Sequence, residues 1–153
     1  MYGGCIILDV VVESRLMKIV ELKRVSMDRI GRVNKNGVKL YPHEDSTALH
    51  LTQFGFDVEY IMPRHIYKST NPDFLVNGAI WETKSPEGNG KNTIKHQFDG
   101  TSKQADKIIL DLRRIKLPAE KAERQAMARF EKAINIKRLL LITKSGRVLD
   151  IRR

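Results

Sequence analysis

Two carboxylates and a lysine fall close together in NPDFLVNGAIWETKSPEG, residues 71–88. Asn-Gly, here Asn77-Gly78, strongly favours a two-residue type I′ hairpin loop, because both central residues must take positive φ. Counting outward pairs Val76 with Ala79, Leu75 with Ile80, Phe74 with Trp81, and Asp73 with Glu82. Opposed residues share a face with Cβ atoms roughly 4.5–5.5 Å apart, so Asp73 and Glu82 repel unless positive charge stands between them. Alternation along the strand adds Lys84 to that face and turns Trp81 and Thr83 to the other.

A divalent cation held by Asp73 and Glu82 would polarise a phosphoryl oxygen, acidify a bound water and stabilise charge on a leaving oxygen. Lys84 would orient that water or neutralise the developing charge. Oxygen-only ligands favour Mg²⁺ or Mn²⁺. The single cysteine, Cys5, is too few for an internal disulfide or a cysteine zinc cluster and reads as a buried apolar residue. The plain alternative is a solvated ion group on an exposed hairpin. Against it, Leu75 and Ile80 on the acidic face and Phe74 and Trp81 on the other predict a largely buried hairpin, where like charges need a counter-ion. Ser85 has no general base near it in sequence, which argues against a serine nucleophile. Trp81 reads as core and not as a base-stacking platform.

The surrounding elements must hold this hairpin. Residues 5–12 and 16–25 are rich in Val, Ile and Leu and read as strands, and VNKNGVKLY reads as a second hairpin about Asn36-Gly37. Pro42 and an Asp-Ser pair open a helix over 43–54 that Gly55 closes. FDVEYIM alternates as a strand, and the 73–84 hairpin follows. A Gly/Pro loop over 85–92 leads to a helix within 93–106, and KIILDL reads as a strand buried on both faces. Ala119, Ala122, Ala126, Phe130, Ala133 and Ile134 recur at helical spacing, and RLLLIT and RVLDI make a terminal hairpin. The fold class is α/β, a central mixed sheet flanked by helices, in one domain: a strand-rich extension over 1–42 and a core over 43–153.

Charge points to the partner. The 28 Lys and Arg against 18 Asp and Glu give a formal +10, and the stretch from Arg113 to Arg153 is densest in them. Such an excess suggests a polyanion, nucleic acid ahead of a membrane surface, with a solvated basic face as the equal alternative from charge alone. CIILDVVV is too short to span a bilayer. Lys91, Lys95, Lys103 and Lys107 follow the ETK strand and could reach phosphates. His43, His50, His65 and His96 are scattered; His43 and His96 are lesser candidates for substrate contact.

PD at 72–73, eight residues, then ETK at 82–84 resembles the PD-(D/E)XK nuclease signature, and the helix, three-strand, helix, strand order resembles that superfamily's restriction-endonuclease-like core. The resemblance implies metal ligation by Asp73, Glu82 and the Thr83 carbonyl, with Lys84 positioning the attacking water. It adds Glu44 on the first core helix, completing the metal shell, and Gln104 in SKQADK. More narrowly, NPDFLVNGAIWETKSP followed by KQADKIILDL resembles toxin domains of contact-dependent growth inhibition systems and related mobile-element nucleases. That likeness implies cleavage of transfer RNA in a bacterial cytoplasm, delivery from another cell within a larger protein, and an acidic immunity protein as partner. These residues depart from a full polymorphic toxin in showing no delivery region, so an excised domain or a stand-alone relative is expected. The other readings are a DNA endonuclease of a mobile element or phage, a non-catalytic nucleic-acid-binding module, and an interaction domain recruiting an acidic protein.

Overall fold

The computed structural model describes residues 8–10 by their backbone, and 17–61, 74–101 and 105–153 in full. The class is mixed α/β, as expected. Among the described residues nine strands form one sheet: β1 (Leu8–Val10), β2 (Lys18–Leu22), β3 (Val33–Asn34), β4 (Val58–Tyr60), β5 (Phe74–Val76), β6 (Ala79–Lys84), β7 (Lys107–Asp111), β8 (Arg138–Ile142) and β9 (Val148–Arg152). Their order across the sheet is β1-β2-β9-β8-β7-β6-β5-β4-β3. The central β6, β7 and β8 run parallel, as do β3 and β4; the other neighbours are antiparallel.

Parallel neighbours need crossovers, and these are α2 (Thr93–Asp99) between β6 and β7 and α3 (Ala119–Lys132) between β7 and β8. Both pack on one face. Ile94 and Phe98 of α2, with Ala122, Ala126 and Phe130 of α3, meet Ile108, Leu110, Leu139, Leu141 and Ile151 of the sheet. α1 (Pro42–Thr52) covers the opposite face, where Ala48 and Leu51 meet Phe74, Trp81, Ile109, Leu140 and Val148. β7 is therefore covered on both sides, as its unbroken apolar run predicts.

Two readings need correction. Asn36 and Gly37 do take positive φ, 47° and 72°, but no second hairpin forms. The Asn36 side chain donates to the Tyr60 carbonyl and to Glu59, each at 3.0 Å, tying the turn to β4, and β3 pairs parallel with β4. The chain then enters α1 in place of a return strand. The apolar stripe of α3 is also shorter than expected: the helix ends at Lys132, and Ile134 is exposed. That end is closed by Arg153, whose guanidinium donates to the carbonyls of Phe130, Ala133 and Ile136 and lies 4.5 Å from the Phe130 ring centroid.

Candidate functional site

The Asn77-Gly78 loop forms as its sequence dictates, with φ of 47° and 82°. Asn77 anchors it by exchanging hydrogen bonds with Asp57, through its side-chain oxygen at 2.8 Å and its backbone N–H at 2.9 Å. The register follows: Val76 opposes Ala79, Leu75 opposes Ile80, and Phe74 opposes Trp81. Phe74 and Trp81 are buried, whereas Ile80 is 47% exposed, so the turn end of the other face is open to solvent and less buried than expected. Asp73 lies outside the described residues, as do Lys103 and Gln104.

β6 has β5 on one side and β7 on the other. Residues 79–81 pair with β5, and Glu82, Thr83 and Lys84 pair with Ile108, Ile109 and Leu110 of β7. Glu82 and Lys84 therefore share the α2/α3 face with Ile108 and Leu110, and Thr83 shares the α1 face with Ile109. Glu82 is 5% exposed, and Lys84 Nζ stands 2.8 Å from its Oε1. A buried carboxylate carrying its own ammonium neighbour is thus held on a strand flanked by β5 and β7.

Glu44 lies at the start of α1 on the helix face of Ala48 and Leu51, and its Oε2 accepts the Tyr41 backbone N–H at 3.2 Å. In the described structure this glutamate closes the helix. Near it, burial raises the Tyr60 phenol pKa, and the Asp45 and Glu44 carboxylates add to the shift.

A cluster not singled out by sequence sits beyond the carboxyl ends of β6 and β7, the edge where parallel sheets commonly place ligands. Asp111, 2% exposed, accepts Thr47 Oγ1 at 2.7 Å, the Arg113 backbone N–H at 3.0 Å, and the Arg113 guanidinium through Nη2 at 2.7 Å and Nε at 3.0 Å. Burial pushes its carboxyl pKa up, but these bonds outweigh that and hold it below the ordinary value. Arg113, Asp111, His43, Ser46, Ser85 and Arg114 line a cleft of about 150 Å³. The signal in sequence was an acid ending an apolar strand, KIILD, followed closely by two arginines.

Lys91 and Lys95 line a second cleft, of about 160 Å³, with Gln125, Arg129 and Lys132 of α3. Lys107 instead pairs with Asp106 at 3.0 Å. Much of the basic C-terminal stretch is likewise engaged within the fold. Arg138 and Arg152 share the buried Asp150, Arg147 pairs with Glu21, and Lys144 donates to the Leu117 carbonyl. Among the described residues no group of three or more His, Cys, Asp or Glu could hold a metal, and no helix is long and apolar enough to cross a membrane.

The sequence profile of the contact-dependent growth inhibition CdiA C-terminal domain matches residues 69–148, just over half of the chain. A solved structure, a CdiA-CT/CdiI toxin and immunity complex from Burkholderia pseudomallei, resembles this fold with a TM-score of 0.61 at 19% identity, covering 80% of this chain and 100% of that one. At that identity the likeness is one of fold. No curated protein matches.

Proposed function

Since this chain belongs to the family of contact-dependent growth inhibition CdiA C-terminal domains, we propose that it is a toxin that hydrolyses a phosphodiester bond of RNA, transfer RNA first, in a reaction requiring a divalent metal. The observation that carries this reading is the buried Glu82 with Lys84 Nζ 2.8 Å away, on the strand that continues an Asn-Gly hairpin of the expected register. Together with the PD and ETK spacing, this supports a PD-(D/E)XK-type centre of Asp73, Glu82 and Lys84, with Gln104 as an accessory residue; Glu44, on α1 across the sheet, is assigned to the helix start and not to this centre.

The donor set suits Mg²⁺ or Mn²⁺. Asp73, Glu82 and the Thr83 carbonyl would supply only hard oxygens, and Mg²⁺ is commonly bound through one or two carboxylates, completed by water and substrate phosphate. A three-acid cage is therefore not required. When bound, the cation supplies Lewis-acid polarisation and an acidified water. The chain's own share is electrostatic. Glu82, fixed in the sheet, orients the ligand sphere without reorganising. Lys84 holds a positive charge beside it, to orient the attacking oxygen and offset charge gathering on the phosphate.

Lys91 and Lys95, with Arg129 and Lys132 beside them, would meet the sugar-phosphate backbone. Lys103 and Lys107 are assigned the same role by sequence, Lys107 after release from Asp106. Charge alone does not separate RNA from DNA. The choice of transfer RNA rests on the family and on the small clefts, which suit a folded RNA of fixed backbone shape better than an arbitrary single strand. An acidic immunity protein that complements this surface is the expected partner, by analogy with the toxin and immunity complex. The domain would reach the cytoplasm of a target bacterium as the C-terminal part of a larger protein.

The test is incubation of purified protein with transfer RNA and with duplex DNA in Mg²⁺, repeated in EDTA and with Glu82→Gln. We expect Mg²⁺-dependent cleavage of one or a few transfer RNAs that the variant lacks. Cutting of duplex DNA with transfer RNA intact would turn the reading to a DNA endonuclease; binding without cleavage under any condition would leave a nucleic-acid-binding module.

A further inference from the structure

The cleft beyond β6 and β7 offers hydrogen-bond donors and almost no acceptors. Asp111 is its buried anion, and its two oxygens are filled by Thr47 and Arg113. The bidentate grip fixes the guanidinium plane, and no described residue accepts from Arg113 Nη1. Ser46 Oγ accepts from Arg113 Nη2 at 3.1 Å, and Ser85 Oγ accepts from Arg114 Nε at 3.0 Å. A hydroxyl that accepts in this way keeps its own hydrogen to donate. Two hydroxyls, the Arg113 Nη1 group and the His43 ring thus line a space whose own carboxylate is already satisfied, while Arg114 is held by the Ser85 carbonyl and by Glu87. That is the lining an oxyanion requires.

Size and surroundings narrow the ligand. A cleft of about 150 Å³ has room for a tetrahedral phosphate. At the rim, Tyr41 is 68% exposed and stacked on His43, ring centroids 5.7 Å apart and planes 12° from parallel. A large aromatic ring on the surface beside an anion cleft leaves one face for a second planar group. Ser85 directly follows Lys84, so the cleft adjoins the proposed centre along the chain.

The geometry points to a subsite for one unpaired nucleotide of the substrate, its phosphate held by Arg113, Ser46 and Ser85 and its base stacked on Tyr41. This rests on the RNA reading above and specifies it: the RNA that is bound carries a nucleotide that is not base-paired. The sequence assigned aromatic recognition to no residue, because Trp81 is core and Tyr41 reads only as the end of the VNKNGVKLY hairpin.

The test separates binding from cleavage. Affinity is measured in EDTA for an RNA hairpin with a short single-stranded overhang, and for the same RNA with one abasic overhang position scanned along it. Wild-type protein should lose about tenfold at one position. Tyr41→Ala should bind the intact RNA about tenfold more weakly and be indifferent to the abasic change, while Tyr41→Phe behaves as wild type. Tyr41→Ala leaves the backbone N–H that Glu44 accepts, so the helix start is kept, and circular dichroism checks this. A methylphosphonate in place of the adjoining phosphate should weaken wild type more than Ser46→Ala. Binding of the hairpin with no abasic-sensitive position, or an equal abasic loss in Tyr41→Ala, overturns the subsite and leaves the nuclease reading standing. Failure of every RNA to bind overturns both.

Discussion

At the scale of single residues, charge placement decides both chemistry and acid stability. Glu82→Gln should abolish cleavage with the fold retained, whereas Lys84→Ala should lower turnover more than metal affinity, as measured by rates across a Mg²⁺ titration. Asp111→Ala should cost roughly 3 kcal/mol, the low end for breaking a buried pair, because Arg113 still reaches solvent; urea unfolding measures this. The pH dependence has a defined sign. Burial lowers the His50 pKa even though its Nε2 lies 2.7 Å from the Gly146 carbonyl. The unfolded chain therefore binds more protons just below pH 6.5, the ordinary histidine value, and stability falls there on acidification. Asp111 and Asp150 are buried, yet their arginine partners lower both pKa values overall, so their contribution is complete above the ordinary value of 3.8 and is lost as pH falls below it. Acid unfolding should show both stages, and His50→Gln should remove only the first.

At the scale of elements, local backbone chemistry was legible and long-range partnership was not. Asn77-Gly78 fixed a register that holds in the structure at all three described pairs, since it depends on two φ angles and on counting. The same dipeptide at Asn36-Gly37 gave the same turn without a hairpin, because the Asn36 side chain found β4, a neighbour remote in sequence. Asp111 was read as part of an apolar strand because its partners lie on α1 and beyond the strand end. Glu82 and Lys84 were placed together by alternation alone, whereas Asp73 and Gln104 lie outside the described residues. Two glycines separate the local and distant causes. At Gly31 an added Cβ would stand 1.8 Å from the Phe56 carbonyl oxygen, while at Gly37, φ 72°, it would meet nothing within 4 Å. Gly31→Ala should thus cost about 3 kcal/mol or more through a clash that cannot be relieved, and Gly37→Ala only about 1–2 kcal/mol through its dihedral. Denaturant midpoints distinguish them.

At the scale of the whole molecule, a net charge of +10 overstates what a polyanion can use, because several arginines are engaged inside the fold. The cleft between α2 and α3 should carry much of the salt dependence of RNA binding. Replacing Lys91 and Lys132 together by alanine should lower the slope of log affinity against log salt by about two, one per lost phosphate contact, with little change in which RNA is preferred. The two neighbours of β6 also order events in time. One edge joins β5 across a two-residue loop, a contact that closes in roughly 1–10 μs. The other edge joins β7 only after the chain has run through α2, and non-local parallel pairing is intrinsically slow. Glu82 and Lys84 pair with β7, so a partly folded chain can hold the complete hairpin and still have no working centre. Trp81, the only tryptophan, is the residue before Glu82, and its core includes Ile109 and Leu140 from the late-joining strands. Its fluorescence on refolding should therefore follow the slow phase, and cleaving activity should return with it.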